Sequence, residues 1–234
     1  MLMPKVSVLI PTYNYARYVG YAVNSVLEQS YPNVEIIVVD DGSTDNTRDV
    51  LKPYAPRIHY IYQENGGTGS ALNTGIVAAA GKYICWLSSD DVFYPDKVAR
   101  QVQLMESRPE LGFSYTSFCV IDAKGQWQYD VQSPYYPERK EMVQKLMKGC
   151  FINGSSVMMS RAALDTVGLF DEAMGMVHDY DLWFRFLRHY PCGFLDEILL
   201  GYRWHGENGS FHVQPGFVTP ARERAKLLFP EWLT

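Results

Sequence analysis

The chain has 234 residues, 47% of them hydrophobic and 20% charged, and a net charge of -5. That balance suits one large folded domain and excludes a disordered chain, while the lack of dense Lys/Arg blocks argues against nucleic acid as a partner. Apolar runs break well short of the roughly 20 residues needed to cross a bilayer. Four scattered cysteines without a CxxC pair point to free thiols, not to a zinc site or a disulfide frame.

The start, Met1-Leu2-Met3-Pro4-Lys5, lacks a signal-peptide pattern, so a cytoplasmic location is expected, at most at the inner membrane face. Val6 to Ile10 reads as a first buried strand stopped by Pro11, and Thr12-Tyr13-Asn14 forms the turn. From Arg17 to Gln29 the residues Val19, Val23, Val26 and Leu27 recur at helical spacing. Val34 to Val39 is a second strand. It ends in paired acids, Asp40-Asp41, and Ser43 or Thr44 is placed to cap the helix that follows.

A third strand, about Ile58 to Gln63, leads into Gly66-Gly67-Thr68-Gly69-Ser70, which lacks the GK[ST] of a P-loop and reads as a flexible loop. A helix from Ala71 to Ala80 follows, with Gly81 as its stop. Tyr83-Ile84-Cys85-Trp86-Leu87 is then an apolar run too short for a helix, and it ends in Ser88-Ser89-Asp90-Asp91. Four strands alternating with three helices predict a doubly wound parallel sheet, with the acids at its carboxyl edge, where such sheets bind ligands. Adjacent carboxylates repel unless a cation relieves them, and a hard divalent ion is the usual partner. The same pair equally suits a turn and a cap for the helix that Pro95 opens.

Past Ser107 the pattern becomes mixed. Leu111 to Phe118 and Val120-Ile121 read as strands, with a hairpin near Lys124-Gly125, and the Pro- and Tyr-rich stretch from Ser133 to Glu138 marks a composition shift. A short strand, Val157 to Met159, precedes a helix from Arg161 to Val167. His178-Asp179-Tyr180-Asp181 opens another helix, with Leu182, Trp183, Phe186, Leu187 and Tyr190 as its apolar stripe, and Ile198 to Tyr202 is a last strand. Asn153-Gly154-Ser155 and Asn208-Gly209-Ser210 match the glycosylation triplet and are read as chance.

Six segments occur in the order of one family: Val6 to Asn14, Val39 to Asp45, Ser89-Asp90-Asp91, Phe170-Asp171-Glu172, Asp179 to Trp183, and Tyr202 to His205. Across roughly residues 4 to 210 the chain resembles the family 2 inverting glycosyltransferases of the GT-A fold. The resemblance implies one continuous α/β domain, mostly a parallel doubly wound sheet with a smaller mixed acceptor-side region, whose half 1–122 binds a nucleotide-sugar and whose half 123–234 holds the acceptor and the catalytic base. It implies hexosyl transfer from a nucleotide diphosphate donor, with uracil the expected base, to a hydroxyl of a saccharide, lipid-linked or protein-linked acceptor. The expected setting is surface polysaccharide or glycoconjugate synthesis.

Carried over by position, Pro11 belongs to the donor site, Tyr13 lies against the nucleotide base and Asp41 hydrogen-bonds its edge. Asp40 supports that loop or meets the ribose, Asp90 faces the ribose and Asn73 belongs to the donor site. Asp91 holds the divalent metal, Mn2+ or Mg2+, with His205 as a further metal or phosphate ligand, and Asp179 is the base. A helix N-terminus favours an ionised carboxylate, which keeps Asp179 basic at neutral pH. Two departures stand out. His178 replaces an acidic residue, and Leu72 replaces the Arg that usually precedes Asn73, leaving Arg203 and Lys97 as the candidates for a phosphate contact.

Two other functions compete: a sugar nucleotidyltransferase, which the first loop disfavours because it lacks a Gly-rich, Arg-bearing sequence, and a non-catalytic nucleotide-sugar-binding subunit. The tail from Ala221 to Leu233 suits a packing helix, or a peripheral membrane contact.

Overall fold

The computed structural model describes residues 3–206, 208 and 215–233. In the first half β1 (Val6–Thr12), β2 (Val34–Asp41), β3 (His59–Gln63) and β4 (Tyr83–Trp86) lie parallel in the order β3-β2-β1-β4. Between them run α1 (Val19–Leu27), α2 (Thr47–Leu51) and α3 (Thr68–Ala78). Every residue of β1 and β4 is buried, the reason both read as mainly apolar runs, with Ser7 and Thr12 the polar exceptions in β1. Alternate residues serve opposite faces. Leu9, Ile37 and Ile84 pack with α3, whereas Val8, Val38 and Cys85 pack with α1.

The second half adds β5 (Val92–Phe93), α4 (Lys97–Ser107), β6 (Phe113–Ile121), β7 (Trp127–Val131), α5 (Arg139–Leu146), β8 (Met158–Ser160), α6 (Arg161–Val167), α7 (His178–His189), β9 (Cys192–Arg203) and α8 (Thr219–Leu228). Here the sheet turns mixed. β8 slots antiparallel between β4 and β6, β9 runs parallel to β6, and β5 pairs antiparallel with β9. β7 forms the expected hairpin on β6.

Several local expectations are corrected. β1 runs through Pro11 to Thr12. Leu111 to Ile121 holds one strand, not two, because Cys119 continues the ladder to β7 and β9. The last strand starts at Cys192, and α5 was not anticipated at all. Neither Ser43 nor Thr44 caps α2: Asp45 accepts the N–H of Thr47 at 2.9 Å and that of Ala16 at 3.0 Å, tying the first two loops together. Gly81 is not the helix stop, which falls at Ala79. It is glycine because a Cβ there would lie 2.6 Å from the backbone nitrogen of Ser7.

The four cysteines are free thiols, three of them buried. Among the described residues no helix is long and apolar enough to cross a membrane. The tail forms a packing helix, with Ala221, Ala225 and Phe229 fully buried. The triplet at Asn208 runs into residues outside those described.

Candidate active site

The register sets Thr12 beside Asp40 and Leu9 beside Trp86, so β1, β2 and β4 all end at one edge. A cavity of about 770 Å³ opens there, with Pro11, Tyr13, Asp41, Asp90, Asp91 and Asp179 among its lining residues. Residues far apart in sequence therefore share one space. Asp40, Asn73 and His205 do not line it.

Asp41 is buried and organises the nucleotide side. One oxygen accepts from Gln63 Nε2 at 2.7 Å and from the N–H of Gly66 at 2.9 Å, and the other accepts from the N–H of Gly67 at 2.8 Å. The glycine loop is thus pinned by a carboxylate instead of flexible. Gly67 has φ +89°, a conformation that disfavours side chains. Asp40 supports the neighbouring turn, accepting from the N–H of Ser43 at 2.9 Å and from Tyr60 at 2.7 Å. Asn14, at φ 57°, accepts from the N–H groups of Thr44 and Asp45. That lock leaves the Tyr13 ring 46% exposed at the cavity.

The paired acids take separate partners. Asp91 accepts from Ser155 Oγ at 2.6 Å and from the N–H of Arg203 at 2.9 Å. Asp90 lies 3.0 Å from His205 Nε2 and accepts from Asn208 Nδ2 at 3.4 Å. Burial, with the like charge of Asp90 added, pushes the Asp91 carboxyl well above the usual carboxylate range. Among the described residues no group of three or more His, Cys, Asp or Glu side chains forms a metal site. The oxygen donors of Asp90 and Asp91 nonetheless suit a hard cation, and their mutual repulsion is what a cation would relieve.

Asp179 stands in the first turn of α7 and accepts the N–H of Tyr180 at 2.7 Å. The expected lowering by the helix terminus is overturned. Burial raises the Asp179 pKa and outweighs the opposing effects of His178 and the Tyr180 N–H. His178 is itself buried, its Nδ1 2.6 Å from the carbonyl of Gly175.

Other expected donor contacts lie elsewhere. Asn73 clamps the Phe170-Asp171-Glu172 segment, donating to the Phe170 carbonyl and to Glu172 while accepting the N–H of Phe170. Arg203 is buried, donating to the carbonyls of Asp90 and Asp122 with its guanidinium over Tyr18. Lys97 is fully buried against Gln101 and Phe93. Neither cation lines the cavity.

Ser155 was missed. It bridges Asp91 and the N–H of Ser88, and Asn153 holds the turn by accepting the N–H of Ser155 at 2.9 Å. Gly154 is required because a Cβ would fall 2.2 Å from the Trp86 ring. The Asn-Gly-Ser turn signal was visible, but its partners just past β4, Ser88 and Asp91, were not.

A family model described as "Glycosyl transferase family 2" matches residues 7–168. The chain is 40% identical over 209 residues to the uncharacterized glycosyltransferase RP339 of Rickettsia prowazekii, covering 86% of this chain and 64% of that protein. It is 34% identical to the chondroitin synthase of Escherichia coli, covering 89% of this chain and 30% of the synthase. The chain thus spans less than two thirds of either relative. The crystal structure of S. aureus TarS 1-349 in complex with UDP-GlcNAc shares the fold, with a TM-score of 0.75 at 17% identity over 98% of this chain and 68% of that one.

Proposed function

The chain belongs to glycosyl transferase family 2, and on that premise we propose that it moves a hexosyl group from a UDP-sugar to a hydroxyl of a saccharide acceptor, with inversion. The observation that carries this reading is the convergence of Tyr13, Asp41, the Asp90-Asp91 pair and Asp179 on one cavity. TarS is described in complex with UDP-GlcNAc, which supports a uridine donor. The chondroitin synthase relative supports a polysaccharide setting.

Each residue then has a task. The exposed Tyr13 ring lies against the base. An ionised carboxylate offers about four acceptor positions, and Asp41 uses three, leaving one for a base N–H. Asp90 faces the ribose. Asp91 and Asp90, the latter oriented by His205, would hold Mn2+ or Mg2+. When bound, that ion supplies Lewis-acid neutralisation of the charge on the departing diphosphate.

Asp179 takes the proton of the acceptor hydroxyl as it attacks. Its raised pKa makes it a stronger base than an ordinary carboxylate. One base opposite the leaving group gives a single displacement, hence inversion, by the logic of inverting glycosidases.

Calorimetric titration with UDP, GDP and dTDP, each with and without manganese, tests the donor site. Manganese-dependent binding of UDP alone is the expected result. Binding of none of the three would overturn the donor reading.

A further inference from the structure

Helix α8 lies beyond the residues matched by the family model, yet it grips the helix that carries Asp179. Its small residues Ala221 and Ala225 and the ring of Phe229 are fully buried. From the same helix Arg224 reaches two carboxylates: Nη1 donates to Asp181 at 3.0 Å, and Nη2 donates to Asp171 at 2.7 Å. Asp181 lies two residues after Asp179 and is completely buried. Its other oxygen accepts from Arg185 Nε at 2.8 Å.

That second guanidinium is also anchored. Arg185 donates to the carbonyls of Val167, Gly168 and Leu169, at the end of α6. Between the two acids Tyr180 donates to the Leu146 carbonyl of α5. Asp171 leads back to the cavity's other wall, since its neighbours Phe170 and Glu172 are bonded to Asn73 of α3. The first turn of α7 is therefore fixed from α5, α6 and α8 at once.

We propose that Arg224 is a positioning residue for the transferase reaction: by joining Asp171 to the buried Asp181 it sets where Asp179 stands relative to the acceptor hydroxyl. The inference rests on the reading of Asp179 as base. A bidentate guanidinium suits this task because its planar fork holds two carboxylates in fixed directions, which an ammonium cannot do. A displacement of about 1 Å at a reacting group costs on the order of 100-fold in rate, so a modest slip of α7 is enough.

The test is a kinetic comparison of wild type, Arg224→Ala, Arg224→Lys and Asp171→Asn, with UDP affinity measured in parallel and circular dichroism confirming folded protein at the assay temperature. Arg224→Ala is expected to lower kcat by about 100-fold with donor KM and UDP affinity unchanged, and Arg224→Lys to recover part of the loss. Arg224→Ala at wild-type kcat, or a matched loss of kcat and UDP affinity, would overturn it. Should Arg224→Ala not fold, Arg224→Lys and Asp171→Asn carry the same test, since each keeps part of the network. A wild-type protein without transferase activity overturns the functional reading itself, whereas an active wild type with an equally active Arg224→Ala overturns only this inference.

Discussion

His205 Nε2 lies 3.0 Å from Asp90, while Asp91 is held by Ser155 and the backbone of Arg203. The imidazole thus orients the first acid of the pair, and its ring is held in turn against Tyr18, with centroids 4.8 Å apart. Groups that orient a metal's ligands typically contribute 10- to 100-fold in affinity. Asp91→Asn should therefore abolish manganese-dependent UDP binding, whereas His205→Ala should weaken it by about 10-fold. Titration of UDP at fixed manganese reads both. Equal losses would make His205 a direct ligand, and an unchanged His205→Ala would confine it to packing.

On the proposed base role of Asp179, activity should depend on pH. A general base must be ionised, and burial raises this carboxyl. The acid limb of kcat/KM should consequently fall above the ordinary aspartate pKa of about 3.9. Asp179→Asn should keep UDP affinity and lower kcat by about 100- to 10,000-fold. The linkage sign also predicts stability. A folded-state pKa above the unfolded one favours the native state at low pH, and that contribution is lost as pH rises through the folded value. Asp179→Asn should then raise Tm at pH 7. Lower UDP affinity in Asp179→Asn would contradict the separate role of the base.

The parallel half was legible because its strands are buried on both faces and its acids fall at strand ends. Val6 to Ile10 and Tyr83 to Trp86 carry that signal residue by residue. The α7 stripe was equally plain, since Leu182, Trp183 and Phe186 are all core residues. What local pattern does not encode is which strand enters beside which. β8 is only three residues long, yet its insertion next to β4 makes the sheet mixed and brings Ser155 to Asp91 across 64 positions. Motif position misled on Arg203 and Lys97 for the same reason. A cation's place in sequence does not tell whether its head reaches a cavity or turns inward, and both heads turn inward here. The direction of the Asp179 shift was also hidden, because a helix terminus is local whereas desolvation comes from the whole fold.

Lys97 provides the last prediction. Its side chain is fully buried, Nζ donating to Gln101 at 2.8 Å and lying 4.0 Å from the Phe93 ring centroid. It is in none of the salt bridges of the described residues. Burial pushes its pKa down to about 8. Below that pH both folded and unfolded chains carry the charge, and the folded state bears the full desolvation cost. Between about 8 and 10.4 the unfolded chain binds more protons, so this contribution to stability rises with pH. Lys97→Met removes the buried charge but leaves the Gln101 oxygen without its donor, which costs about 1–3 kcal/mol. The net gain at pH 7 should be about 1 kcal/mol, or about 2–4 °C in Tm. The gain should disappear by about pH 10, where the lysine is neutral in the folded state, so that little of the cost of burying its charge remains even though the unfolded chain is still mostly protonated there. UDP affinity should not change, because Lys97 does not line the cavity. Thermal melts of both proteins across pH 7 to 10, with one UDP titration, decide the matter. A Tm penalty that persists across that range, accompanied by weaker UDP binding, would return Lys97 to the donor phosphates.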